Sequence, residues 1–215
     1  DGSRILFVSD REAKTRPMRI ATSGAGMPEV LGDGFDGLKQ VMLSPDGSAF
    51  LLNGFRDNVS AIWVQAGKAA MAPFVRNPTW AGQARFSPDG KLVAYSSYES
   101  GINEVYVKPF AGRDAALQVS VGGGGEPVWS RDGRRLFYAA GRRLMVATLS
   151  TSPTPRVVSR DSLFVWDGFG DFNGATFDVA PGGKQFLMLQ ADPRSVQLVI
   201  ALNWSSTLRA RMAGQ

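Results

Sequence analysis

The sequence predicts an all-β chain of about five repeated four-stranded antiparallel sheets set radially around an axis, a β-propeller architecture. Three observations carry that expectation. One turn motif recurs at a nearly constant spacing, a short apolar β-rich run follows each turn, and helix signals are lacking apart from a turn or two over residues 205–211.

The turn comes first. LSPDGSAFLL from Leu43, FSPDGKLVAY from Phe86 and WSRDGRRLFY from Trp129 align with one another. VAPGGKQFLM from Val179 keeps the pattern with Gly182 where the others have Asp, and the opening DGSRILFV is the same unit without its front. The Asp-Gly pairs at 1, 46, 89 and 132 and the Gly-Gly pair at 182 are spaced by 45, 43, 43 and 50, against roughly 40–45 residues for a propeller blade. In Ser-Pro-Asp-Gly, proline presets φ, aspartate suits the second turn position, and glycine takes the left-handed conformation that follows. The Pro181-Gly182-Gly183 version is expected to have a different turn geometry.

The strands follow in order. The runs ILFV, AFLL, LVAY, LFYA and FLML after the turns are continuously apolar, as in strands covered on both faces by stacked neighbours. Leading strands are expected around 40–42, 83–86 and 126–128. Third strands are expected at 18–21, 61–65, 105–109, 144–149 and 196–203, and weaker fourth strands near 29–31, 72–75, 117–120 and 156–159. The repeats then run approximately 1–37, 38–80, 81–124, 125–174 and 175–204, with a tail at 205–215. The first repeat lacks a leading strand and the last a closing one. The start at Asp1-Gly2 has no basic or apolar leader and reads as processed or excised, so the repeats are expected to be the C-terminal blades of a larger ring.

Composition narrows the chemistry. The 215 residues are 44% hydrophobic and 20% charged, an ordinary globular balance. There is no cysteine and no histidine, so Ser-His-Asp and Cys-His catalysis, Cys-ligated zinc and imidazole metal sites are excluded. Acid–base work would fall to carboxylates, lysine or tyrosine. The net charge is +5, and no apolar run approaches the roughly 18–20 residues of a membrane span.

Several residue groups invite sharper readings. Asp46, Asp89 and Asp132 occupy one position in successive repeats and are read as turn residues, not catalytic carboxylates. Arg131, Arg134 and Arg135 are separated from Arg142 and Arg143 by a strand of roughly 15–17 Å, at opposite ends of it, so no nucleic-acid partner is expected. Gly122, Gly123, Gly124 and Gly125 lack the lysine and helix of a phosphate loop and read as a flexible connection. Trp63, Tyr95, Tyr106, Trp129 and Tyr138 read as inter-blade packing. DGFGDFNGATFD (167–178) lengthens the last interval. Its Asp167, Asp171 and Asn173 offer oxygens for calcium, but the spacing is not that of a calcium loop and no bidentate Glu follows, so an insertion loop is expected.

A family resemblance rests on these motifs. The S-P-D-G turn with its apolar strand resembles the TolB-type, WD-repeat-like propeller repeat of bacteria. GQARFSPDGKLVAYSSYESGINEVYVKPF (82–110), QVSVGGGGEPVWSRDGRRLFY (118–138), FDVAPGGKQFLML (177–189) and VIALNW (199–204) together resemble the C-terminal propeller of bacterial eukaryotic-like serine/threonine protein kinases. The resemblance covers nearly the whole chain. It implies a non-catalytic sensing or scaffold module, extracytoplasmic, with a cytoplasmic placement as the alternative. The kinase's own motifs are absent from this sequence.

The expectation is therefore a binding propeller with no catalytic, cofactor or metal residues, attached to an effector domain. Its partner, a protein or small ligand, would sit on a loop face or at the central channel. The side chains nearest that channel are those of Gln40, Val41 and Met42, of Gln83, Ala84 and Arg85, and of Glu126, Pro127 and Val128. The alternative is the gating propeller of a prolyl-oligopeptidase-type hydrolase, whose catalytic domain would lie outside this chain because no G-x-S-x-G occurs in it. If the arc is open, its terminal faces, including Ile5, Phe7 and Val8, are uncovered and the chain self-associates at micromolar concentration. Sedimentation beside a longer chain tests this: a compact monomer of residues 1–215 would mean a small ring closed by its own ends.

Overall fold

The Ser-Pro-Asp-Gly turns at 44–47 and 87–90 and the Ser-Arg-Asp-Gly turn at 130–133 are locked by the same few atoms. A computed structural model describes residues 2–190 apart from 12, 13, 33, 57, 58, 78, 113, 114, 152, 153 and 167–174. Ser44, Ser87 and Ser130 are buried, and each donates its hydroxyl to the aspartate two residues on at 2.6 Å. Each Ser Oγ also accepts the backbone N–H five residues on, at 2.9 Å. The aspartate accepts the N–H two residues beyond it at 3.1 Å. Gly47, Gly90 and Gly133 close the turn on the serine carbonyl with φ of 73°, 71° and 68°, a conformation that a β-carbon disfavours. At the fifth turn, Gly183 repeats the bond to Ala180 O at 2.8 Å with φ 66°. Backbone geometry is thus retained there, against expectation; Ala180 and Gly182 lose only the side-chain ties.

Among the described residues, seventeen strands form five antiparallel sheets, each a simple meander. The first comprises β1 (Arg4–Ser9), β2 (Arg16–Ala21) and β3 (Glu29–Val30). The second comprises β4 (Gly37–Leu43), β5 (Ala49–Arg56), β6 (Val59–Ala66) and β7 (Ala72–Arg76). The third comprises β8 (Ala81–Phe86), β9 (Leu92–Ser97), β10 (Glu104–Pro109) and β11 (Leu117–Gln118). The fourth comprises β12 (Gly125–Trp129), β13 (Arg135–Ala140), β14 (Arg143–Ser150) and β15 (Arg156–Val165). The fifth comprises β16 (Phe177–Val179) and β17 (Phe186–Met188). No helix occurs among the described residues. The architecture is a partial β-propeller. β15 runs well past the expected 156–159 because it follows β14 along its whole length, through two register shifts. The strand expected at 196–203 and the helical turn at 205–211 lie outside the described residues.

Strand alternation explains the unbroken apolar runs. Ala49 and Leu51 of β5, with Ile62 of β6, pack toward the third sheet against Val93, Tyr95 and Tyr106. Their neighbours Leu52, Ala61 and Trp63 pack the other way, with Phe35 and Leu38 and against Val8 of the first sheet. The third sheet repeats the device: Leu92, Ala94, Val105 and Val107 meet Leu136, Tyr138, Ala147 and Leu149 of the fourth. Phe137, Leu144 and Val146 then meet Phe177 and Phe186 of the fifth. Both faces of a central sheet are thus dry, and polar–apolar alternation disappears. Aromatic rings interlock across these seams, with Phe137 and Phe186 edge to face at 5.5 Å and 73°. Such a pair is worth about 0.5–1.5 kcal/mol beyond its area.

The first sheet corrects one expectation. Val8 is not on an uncovered face but packs against the second sheet. Its neighbours Ile5 and Phe7 point oppositely; Ile5 is 52% exposed, and Phe7 lines a surface hollow with Met18, Ile20 and Val30.

The turn aspartates make stability pH-dependent. Asp46 is held at about 2, below the ordinary 3.8, chiefly by the Ser44 hydroxyl and then by Ser48. Asp89 and Asp132 are lowered too, chiefly by Ser87 and Ser130. A carboxylate whose folded pKa lies below its unfolded one stabilises the fold above the unfolded value and loses that contribution as pH falls through the folded one. Urea midpoints should therefore fall between pH 3.8 and about 2. The Asp46→Asn, Asp89→Asn, Asp132→Asn triple variant should be less stable at neutral pH and flatter across that window.

Candidate functional site

The leading strands converge on a cavity of about 240 Å³ lined by Lys39, Gln40, Asn53, Trp80, Gln83, Arg85, Glu126, Pro127, Val128 and Ala175. Gln40, Gln83 and Glu126 hold one repeat position, three residues before the apolar residue that precedes each turn. The ladder is interrupted here in each sheet, with register shifts between Leu38 and Gln40, Gly82 and Arg85, and Gly125 and Val128. Such bulges re-aim side chains beside binding sites.

Two of these residues carry backbone strain. Gln83 and Glu126, at φ 55° and 57°, are the non-glycine residues with positive φ among those described. What holds them is a bracket between blades. Gln83 Oε1 accepts the Glu126 N–H at 2.9 Å, which the Ser96 hydroxyl oxygen also accepts at 3.2 Å. One repeat on, Glu126 Oε2 accepts both the N–H and the hydroxyl of buried Thr176 at 2.6 Å. A side chain in one blade thus fixes the backbone of the next at the matching position. Trp129 Nε1 adds a bond to Arg85 O at 3.1 Å. Just before the bulge of β8, a β-carbon on Gly82 would run into the Asn53 amide and lie 2.8 Å from the Trp80 ring, so the strand's close approach favours glycine.

Charge at the cavity is mixed. Lys39 is exposed at the rim, and Arg85 is half-buried. Burial lowers the Arg85 guanidinium below its usual range, while the charges of Asp178 and Glu126 act in the opposite direction.

The other sequence-singled residues lie elsewhere. Asp46, Asp89 and Asp132 are in the turns, at the far end of the leading strands from the bulges. The Ala140–Arg143 hairpin pair places Arg142 and Arg143 at the opposite end of β13 from Arg134 and Arg135. Arg135 lies over the Phe137 ring at 5.6 Å. Trp63, Tyr95, Tyr106 and Tyr138 are buried in inter-sheet seams. The glycine run differs from the flexible connection expected: Gly124 and Gly125 are buried, and Gly123 N–H donates to buried Glu104 Oε1 at 3.0 Å. Glu104 Oε2 accepts the Ser120 hydroxyl as well. The calcium reading of Asp167, Asp171 and Asn173 lies outside the described residues, among which no acidic cluster suits a metal. No helix among them is long and apolar enough to cross a membrane.

The sequence pointed to Gln40, Gln83, Arg85, Glu126, Pro127 and Val128 but missed Lys39, Asn53, Trp80 and Ala175. Asn53 had a signal: it is a polar residue closing an otherwise apolar second-strand run, as Ser96 is one repeat on. Trp80 had none, because it stands in the connector ahead of β8.

This bulged inner edge and these stacked meanders define the class. The chain carries a TolB-like β-propeller fold. It is similar to TolB from Acinetobacter baumannii at 17% identity and a TM-score of 0.67, over 89% of this chain and 47% of that one. It is similar to the periplasmic gluconolactonase of Pseudomonas aeruginosa at 19% identity and a TM-score of 0.54, over 93% of this chain and 66% of that one. A puromycin-hydrolyzing peptidase from Mycobacterium tuberculosis matches at 14% identity and a TM-score of 0.53, over 75% of this chain and 30% of that one. The chain thus spans about half of the TolB structure, and likeness at these identities is one of fold. No family model matches the sequence, and no curated protein matches it.

The bracket is testable. Glu126→Ala leaves the buried Thr176 N–H and hydroxyl without their acceptor and should cost about 1–3 kcal/mol. Glu126→Gln keeps a carbonyl in place and should recover most of it. Urea denaturation measures both.

Proposed function

We propose that this chain is a non-catalytic binding or sensing propeller, taking its ligand at the inner-edge cavity and relaying occupancy to an effector domain such as a serine/threonine kinase. One observation carries the reading. The bulged leading strands of three sheets line a single cavity with unlike polar side chains: Lys39 and Gln40 from β4, Gln83 and Arg85 from β8, and Glu126 from β12. Among the described residues the one carboxylate lining it, Glu126, is engaged as a hydrogen-bond acceptor for Thr176. With neither histidine nor cysteine in the chain, acid–base work would fall to carboxylates, lysine or tyrosine, and the Glu126 carboxylate is already engaged with Thr176. An extracytoplasmic placement belongs to the same reading, supported by the periplasmic description of one structural neighbour.

A second reading is favoured by the peptidase match: the gating propeller of a hydrolase whose catalytic domain lies elsewhere. The parent gene separates the two. A kinase domain and membrane span upstream support the first, and an α/β-hydrolase domain downstream supports the second.

Ligand-observed NMR of the full chain with a panel of neutral sugars, amines and carboxylates tests the binding role. Gln40→Trp fills the cavity without removing a bracket bond, so it should abolish saturable binding of the panel members that bind. Binding indifferent to this substitution would overturn the reading. So would hydrolysis of an ester, peptide or glycoside that a single carboxylate substitution abolishes.

A further inference from the structure

Among the described residues, Arg85 lines the cavity with most of its bonding capacity unspent. Arg85 presents five N–H donors. Among the described residues, the hydrogen-bond partner of its guanidinium is the Met42 thioether at 3.7 Å, a weak acceptor, and none of the described carboxylates forms an ion pair with it. Other guanidiniums in the chain are better satisfied. Arg19 grips Glu29 through two nitrogens at 3.1 and 2.6 Å, and Arg160 donates to Val119 O at 2.6 Å.

Nor does the blade require arginine there. The residues at the same repeat position are Met42 in β4 and Val128 in β12, so the architecture accepts an apolar side chain. A half-buried, poorly paired guanidinium at a position where methionine or valine serves is a cost to the fold. Such costs are retained where a ligand recovers them.

The surroundings define the ligand. Gln83 uses its carbonyl on the Glu126 N–H, which leaves its NH2 free to donate into the cavity. Gln40 offers a second amide, and the Trp80 ring forms a wall. At about 30 Å³ per water, the space suits a molecule of roughly eight non-hydrogen atoms. Arg85 already faces the opposing charges of Asp178 and Glu126, so a monoanion fits better than a phosphate dianion.

We propose that Arg85 is the anchor for the carboxylate of a small organic acid that also carries a neutral hydrogen-bonding group, the acid lying in the channel cavity with that group against Gln83 and Gln40. Guanidinium and carboxylate meet through two parallel N–H···O bonds, a fork that lysine cannot reproduce. This rests on the binding reading above and specifies its ligand class.

The experiment titrates the full chain, followed by amide chemical shifts, with three probes: N-acetylglycine, its uncharged analogue N-methylacetamide, and inorganic phosphate. N-acetylglycine should bind saturably, moving the amides of Gln83, Arg85 and Glu126, and more tightly than either other probe. Arg85→Gln should weaken it about tenfold or more, and Arg85→Lys should recover only part. Arg85→Gln should leave the unfolding temperature unchanged or raised.

Unchanged affinity in Arg85→Gln overturns the anchor and leaves the binding role standing. Equal or tighter binding of N-methylacetamide overturns the oxyanion chemistry, and tighter binding of phosphate overturns the carboxylate. A lowered unfolding temperature in both Arg85 variants shows a structural arginine and overturns the proposal. Absence of binding by all three probes overturns it too; whether the wider reading falls with it is decided separately by the Gln40→Trp panel.

Discussion

Everything in this molecule follows from the requirement that a blade bury both faces at once. A four-stranded sheet has no interior of its own, so Leu51 and Leu52, adjacent in one strand, must each find a different partner sheet. The same division recurs at Val93 and Ala94 and at Leu136 and Phe137. Truncating a fully buried leucine among them would cost about 2–5 kcal/mol, because the cavity lies between two sheets that hold each other in place. Side chains inside the seams are therefore almost entirely apolar or aromatic, and polar groups are displaced to the ends and inner edges of the blades.

The two ends of a leading strand use their polar groups differently. At the turn end, serine hydroxyl, aspartate and backbone N–H satisfy one another within six residues, so each turn is closed on itself. At the bulged end, the corresponding bonds reach into the next blade: Gln83 to Glu126, and Glu126 to Thr176. Turning those side chains along the ring demands positive φ at two non-glycine residues, and interruption of the ladder turns their neighbours toward the cavity. The feature that couples the blades is therefore also the one that opens a polar cavity among them.

Recurrence on one fold of a TolB, a lactonase and part of a peptidase shows how little the blades constrain chemistry. Among the described residues, the polar side chains lining the inner-edge cavity of this chain are three amides, one arginine, one lysine and one carboxylate.

The sequence by itself determined the turns, the repeat, the apolar runs and the first three strands of the central blades, because these depend on interactions within a few residues or on strict alternation. It also pointed to Gln40, Gln83 and Glu126 through their shared repeat position. Only the tertiary structure decided the rest. Val8 turned inward and Ile5 outward because the pleat, not hydrophobicity, assigns faces. The glycine run was fixed by Glu104, a residue from the preceding hairpin. Trp80, Asn53 and Lys39 joined the cavity only once sheets 43 residues apart in sequence were stacked in register. Strain at Gln83 and Glu126 was invisible for the same reason: the bonds that hold it belong to the neighbouring blade, and local sequence carries no record of what a neighbour will supply.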